Sequence, residues 1–199
     1  MAAAEDKQQK EAEDKPARTA AYDGATDGAD FGTAVHACWE QIIWADSARY
    51  PDWMQQNAPR TEAQNIVYHA LQQQEIKELF TAKPRHEVFC EQSVEAINKE
   101  NEWVSANLDR LVLTYDAAGQ VVAAHIIDFK TNKISPHEGF ATFEDWLMDH
   151  YTGQMREYRK LISSAFNLPA QAITVSLISC PREGSARVLT YTQKQLQET

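Results

Sequence analysis

No apolar run in the sequence approaches the about 20 residues that a membrane-spanning helix requires. The longest, Val121–Ile127 and Ile173–Ile178, fall far short, which excludes a spanning helix. The acidic start Met1-Ala-Ala-Ala-Glu5-Asp6 leads into no apolar segment, so no secretory signal is expected and a cytoplasmic location is. Cysteine is scarce: Cys38, Cys90 and Cys180 are 52 and 90 residues apart, too sparse for a zinc ribbon or a four-cysteine iron–sulfur set. They read as reduced, structural thiols. Positive charge is also short, with 19 Lys and Arg against 29 Asp and Glu and a net charge of −10. A protein that holds nucleic acid through a basic coat is therefore excluded, and any contact with phosphate needs local help.

What the sequence does hold is apolar mass. Hydrophobic residues make up 43% of 199, enough to bury the core of one ordinary domain. Residues 1–30 contribute little to it, being Ala, Glu, Asp, Lys and Gln followed by AYDGATDGAD, with eight acids against four bases. Such a stretch cannot offset its ordering entropy by burial. It reads as a flexible acidic tail or interdomain linker ahead of a domain at 31–199.

From Phe31 the pattern turns helical: Phe31, Val35, Trp39, Ile42 and Ile43 recur every three to four residues, with Asp30 or Thr33 as the expected cap. A second helix is expected from a Thr61 cap to about Phe80. The period then drops toward two, and His86–Ala96, Trp103–Tyr115 and Val121–Lys130 read as consecutive strands joined by turns at Asn98–Asn101 and Asp116–Gln120. Leu147, Tyr151, Met155, Tyr158, Ile162 and Phe166 mark a long helix ending before Pro169. Two last strands, Ile173–Ser179 and Arg187–Thr192, flank the turn Pro181–Gly184. The order α-α-β-β-β-α-β-β predicts an α/β fold: a mixed five-stranded sheet flanked by helices.

A symmetric hairpin about Asp116–Gln120 places opposite each other residues whose numbers sum to about 237, so Asp109 faces Asp128. Directly opposed like charges are destabilising. The second of these strands is apolar on both faces, hence central and buried. Two carboxylates held together there must share a proton or bind a cation. Lys130, two residues beyond Asp128, points to the same face. Two acids and an ammonium at a strand end suit phosphate chemistry with a hard ion such as Mg2+ or Mn2+; a plain Asp128–Lys130 salt bridge is the other reading of that spacing.

In chain order the sequence carries GTAVHACWE (Gly32–Glu40), CEQSVEA (Cys90–Ala96), NLDRLVL (Asn107–Leu113), IIDFKTNK (Ile126–Lys133) and GQMREYRKLI (Gly153–Ile162). This series resembles that of the RecB-like branch of the PD-(D/E)xK nucleases: G-x-x-x-H, an acidic strand, G-x-x-D, D-[YF]-K-[TS] and Q-x-x-x-Y. It is most similar to the C-terminal nuclease domain of AddA/RecB-type, UvrD/Rep-like helicase–nucleases, across about residues 31–192. The resemblance implies His36, Asp109, Asp128 and the backbone carbonyl of Phe129 as metal ligands. It implies Asp109, Asp128 and Lys130 as the catalytic set, with Gln154 and Tyr158 supporting the site and facing DNA, and Glu91 on the acidic strand. One departure is Ala106, where the family usually has glycine. The four cysteines of the family's iron–sulfur branch are absent, so neither a cluster nor zinc is expected.

The function implied is a Mg2+- or Mn2+-dependent deoxyribonuclease, an exonuclease acting in repair and recombination. Its expected partners are DNA, helicase domains on the same natural chain and an AddB-like or RecC-like subunit. The rival reading is an inert nuclease-like module that binds DNA or docks a partner; a metal-dependent RNase is a third. His125, on the opposite strand face from Asp128, reads as structural, and His69, His86, His137 and His150 carry no motif. Lys133, Arg156, Arg159 and Lys160 suit either phosphate contacts or a solvated face, and the five tryptophans either base stacking or the core.

Overall fold

The computed structural model describes residues 24–97 and 101–197; most of the expected acidic tail, and residues 98–100 of the first expected turn, lie outside them. Helix α1 (Gly24–Glu40) begins before the expected boundary at Phe31. Residues 24–30 are thus helical, and Asp30 and Thr33 sit within the helix instead of capping it. The Thr33 hydroxyl donates to the Ala29 carbonyl one turn back (3.0 Å). A 3-10 turn (Ser47–Arg49) and the short α2 (Asp52–Gln55) follow.

The expected second helix is two. Thr61 caps α3 (Glu62–Gln72), its hydroxyl accepting the Gln64 amide (3.2 Å). The chain then breaks at Gln73, extended at φ −75°, ψ 129°, before α4 (Gln74–Leu79). Packing explains the break. Leu71 and Ile76 are both buried but five residues apart, and on one straight helix that spacing would turn them to different sides.

The sheet comprises β1 (His86–Ile97), β2 (Trp103–Tyr115), β3 (Val121–Lys130), β4 (Ile173–Ser179) and β5 (Arg187–Thr190), in that spatial order. The first three form an antiparallel meander. Between β3 and β4, which run parallel, the chain crosses over through α5 (Phe143–Phe166), and β5 returns antiparallel. Thr142 caps α5, accepting the Asp145 amide (3.0 Å), and Asn167 ends it in the left-handed conformation at φ 53°. The architecture is the mixed, helix-flanked five-stranded sheet that the element order predicts.

Two cores lie on the two faces of this sheet. On one, α1, α3 and α4 deliver Val35, Trp39, Val67, Ile76 and Phe80 onto Ile127, Phe129 and Ile178. On the other, α5 delivers Leu147, Met155 and Ile162 onto Leu111, Ile126 and Val175. The apolar reading of β3 on both faces is explained by this double coverage.

The β2–β3 register pairs Arg110 with Ile127 and Thr114 with Ala123, and its one irregularity lies beside the turn, between Thr114 and Tyr115. Asp109 and Asp128 are therefore the next opposed positions, as the symmetric hairpin predicts. On β1 and β2, however, the side-chain alternation slips. Leu108 and Leu111, three residues apart, pack into the same α5-side core, although a regular strand would send them to opposite faces. Phe89 and Val94, five apart on β1, do likewise. The two residues at the slip are Glu91 and Asp109. The β1–β2 ladder pairs Cys90 with Arg110 and Gln92 with Leu108, leaving Glu91 and Asp109 between those pairs. Glu91 takes a φ of +46° there, a strained value for a residue with a Cβ.

Candidate metal centre

Slip and register together align three carboxylates across three adjacent strands: Glu91 on β1, Asp109 on β2 and Asp128 on β3. His36 reaches them from α1, its Nδ1 lying 3.4 Å from Asp109 Oδ2. One ligand atom each from His36, Glu91 and Asp109 lies within 4.8 Å of the others. Asp109 Oδ2 also accepts the Phe129 amide (2.8 Å), and Glu91 Oε2 accepts the Asn107 side-chain amide (2.8 Å). Phe129 is fixed in turn by stacking on Trp39 (4.9 Å between centroids, 1° between planes). Trp39 is thus a core residue and not a base-stacking one.

Asp128, 2% exposed, faces α5. Lys130 Nζ lies 2.6 Å from its Oδ2, a direct and largely buried ion pair. Three further contacts shape the lysine's surroundings. Its Nζ donates to Gln154 Oε1 (3.3 Å), Gln154 Nε2 donates to the Tyr158 hydroxyl (2.6 Å), and the ammonium sits 4.2 Å from the Tyr151 ring centre. The Tyr151 hydroxyl donates to Asn132 (3.1 Å).

Three carboxylates against one lysine leave an excess of negative charge, and the titration of the site reflects it. Burial, and then the charge of Asp109, push the Asp128 carboxyl up to about 6 despite Lys130. Burial and Asp109 also raise Glu91, against the opposing hydrogen bond from Asn107. At His36 burial acts to lower the pKa, but the hydrogen bond to Asp109 and the charges of Asp109, Asp128 and Glu91 outweigh it and raise the value. Burial and the Asp128 charge raise Tyr158. Carboxylate oxygens and one imidazole nitrogen are a donor set that fits a hard divalent cation.

The structure brings His36 and Asp109 together and sets Asp128, Lys130, Gln154 and Tyr158 in contact beside them, but Asp128 is not among the ligand atoms that lie within 4.8 Å of one another. The structure goes further by seating Glu91 with His36 and Asp109, where the sequence assigned it no definite task. Ala106 pairs with Val94 in regular ladder and takes no positive φ, so alanine meets no strain there. Tyr151 was not anticipated as a site residue; its spacing of three and seven from Gln154 and Tyr158 on α5 is the available signal. Arg110 was missed as well. Wholly buried, it donates to the Ile42 and Ile43 carbonyls (3.0 and 2.6 Å) and packs on Phe80, tying the chain just after α1 to the strand that carries Asp109. Arg156 and Arg159 donate to Gln195 and Leu196 carbonyls, which makes them ties for the C-terminal segment. The three cysteines are free.

The mixed five-stranded sheet with flanking helices agrees with the family assignment. The chain belongs to the PD-(D/E)XK nuclease superfamily, whose model matches residues 9–199. Members of this superfamily use divalent metal ions. A candidate exonuclease from Eubacterium rectale, known from its crystal structure, is similar in fold with a TM-score of 0.48 and 10% identity. The match covers 83% of this chain and 60% of that one, so the chain spans about three fifths of that protein's length. No curated protein matches the chain. No described helix is long and apolar enough to cross a membrane.

Proposed function

We propose that this chain is a metal-dependent deoxyribonuclease domain that hydrolyses phosphodiester bonds. The observation that carries the reading is the convergence of His36, Glu91 and Asp109 within 4.8 Å beside the buried Asp128–Lys130 pair. His36, Glu91, Asp109 and Asp128, with the Phe129 carbonyl, hold Mg2+ or Mn2+; when bound, the ion polarises the phosphate and lowers the pKa of water. Lys130 sits at the strand end to balance charge that develops on the phosphate oxygens. Gln154, anchored by Tyr158, gives the ammonium a second acceptor beside Asp128. Asp109 holds His36 on one side and the Phe129 amide on the other, which fixes α1 against β3.

The finer reading, an exonuclease domain of a cytoplasmic AddA/RecB-type helicase–nuclease with an AddB-like or RecC-like partner, is supported by the motif series alone. On it, the DNA strand is delivered by motor domains on the same natural chain. The test is hydrolysis of linear and closed-circular DNA with Mg2+, Mn2+ or EDTA, by wild type, Asp128→Ala and Lys130→Ala. Metal-dependent cleavage lost in both variants is expected, with closed circles spared if ends are required. Cleavage that persists in Asp128→Ala would sink the reading.

A further inference from the structure

Three hollows border the metal centre, and their charges differ. The one between His36 and the outer side of α1 is acidic, presenting Glu40 and Glu91. The one beneath Gln154 and Tyr158 holds Lys160, but Glu157 lies 3.1 Å from it. The third is a groove of about 640 Å³ lined by Lys133, Arg182 and Glu183, with Arg182 also 3.2 Å from Glu62. It runs without interruption into the hollow of His36 and Lys130, since Gly28, Thr131 and Lys133 line both. Lys133 and Lys130 line that hollow together, so a phosphate chain repelled by the acidic side of α1 meets cationic side chains there.

The groove is built and not incidental. At Gly32 an added Cβ would meet Thr131 Oγ1 at 3.1 Å, so glycine permits the close approach of α1 to the segment leaving β3. At Gly184, φ +108°, a Cβ would meet Ile134 Cδ1 at 3.0 Å, so the β4–β5 turn closes down on the opposite wall. Arg182 lies over the Phe31 ring (4.5 Å) and is oriented by Glu62 (3.2 Å).

From this we infer that the groove between α1, the segment after β3 and the β4–β5 turn carries the backbone of one DNA strand to or from the cleavage site, with Lys133 and Arg182 contacting its phosphates. The inference rests on the nuclease reading. Gly28 supplies a steric test, because it lines the groove and a Cβ there meets nothing within 4 Å among the described residues.

The experiment compares wild type, Lys133→Gln/Arg182→Gln and Gly28→Trp. Binding of a fluorescent single-stranded oligonucleotide is followed by anisotropy against NaCl, each protein carrying Asp128→Ala to prevent cleavage. Turnover of that oligonucleotide and of thymidine 5′-p-nitrophenyl phosphate is measured without that substitution. Removing two phosphate contacts should weaken binding tenfold or more at low salt and flatten the log–log salt slope by about 1.4. Gly28→Trp should weaken binding similarly, and both should lower the ratio of oligonucleotide to small-diester kcat/KM. Unchanged affinity and slope in both variants, with wild type cleaving normally, would overturn the groove assignment alone. A wild type that cleaves neither substrate with any metal would overturn the nuclease reading and the groove with it.

Discussion

The amide of Phe129 donates to Asp109 Oδ2 at 2.8 Å, just past the point where the backbone pairing of β2 with β3 ends at Arg110 and Ile127. A side chain thus continues the ladder that the diverging backbones have left, and the same oxygen faces His36. Asp109→Asn preserves an acceptor for Phe129 while removing the charge. We expect cleavage to fall by more than about 100-fold, with thermal stability close to wild type. Asp109→Ala should show the same loss of cleavage and a further destabilisation of about 1 kcal/mol for the unmade hydrogen bond. Equal melting temperatures for the two variants would argue against the structural half of this role.

Tyr151 offers its ring to the Lys130 ammonium and its hydroxyl to Asn132. Cation–π contacts are worth about 0.5–2 kcal/mol, which corresponds to a loss of about 2- to 30-fold in kcat for Tyr151→Leu. Tyr151→Phe keeps the ring and should retain most of the activity. If both variants lose the same amount, the ring is not what positions the lysine.

Arg110 is expected to be a stability residue. Truncation to Ala leaves the Ile42 and Ile43 carbonyls without their donor and empties a site packed on Phe80. The expected cost is about 3 kcal/mol or more, read as a lower urea midpoint with an unchanged slope. An unaltered midpoint would show that α1 is held without it.

His125 lies on the sheet face away from Asp128, hydrogen-bonded to Ser176 (2.9 Å), which pairs with Thr190 (2.8 Å). Burial, with the nearby charges of Arg110 and Lys83, lowers its pKa to about 4. In the unfolded chain it titrates near 6.5, so acid favours unfolding. Its contribution is present in full above pH 6.5 and is lost as pH falls through 4, about 3 kcal/mol in all. The raised carboxyl of Asp128 acts in the opposite sense over part of this range, so the comparison must be between proteins. The urea midpoint of wild type should drop more between pH 7 and pH 4.5 than that of His125→Gln. Parallel midpoints would refute the assignment.

Much of this was legible in the sequence because the hydrophobic period is clean where two cores enclose the sheet. The bounds of β2, β3 and β4 and the opposition of Asp109 to Asp128 follow from alternation and a five-residue turn. Other features left weaker traces. The first turns of α1, GATDGAD, carry no large apolar side chain from which a helical period could be read. The break at Gln73 has no glycine or proline to announce it; packing of α3 and α4 imposes it. Glu91 could not be seated from period-two reasoning, since its place depends on a matched slip in β1 and β2 that breaks the alternation in both strands.

That slip has a consequence for how such a site can arise. Striking out Glu91 and Asp109 together would bring the pairs Cys90–Arg110 and Gln92–Leu108 side by side. The hydrogen-bond register would be preserved, and Phe89, Val94, Leu108 and Leu111 would fall into unbroken alternation against α5. The result would be an ordinary antiparallel ribbon, free of the left-handed residue at Glu91 and of two crowded acids. The two acids thus behave as matched insertions in a sheet that is complete without them. A single deletion in either strand would turn half of that strand inside out, whereas the paired deletion should give a chemically silent and more robust fold.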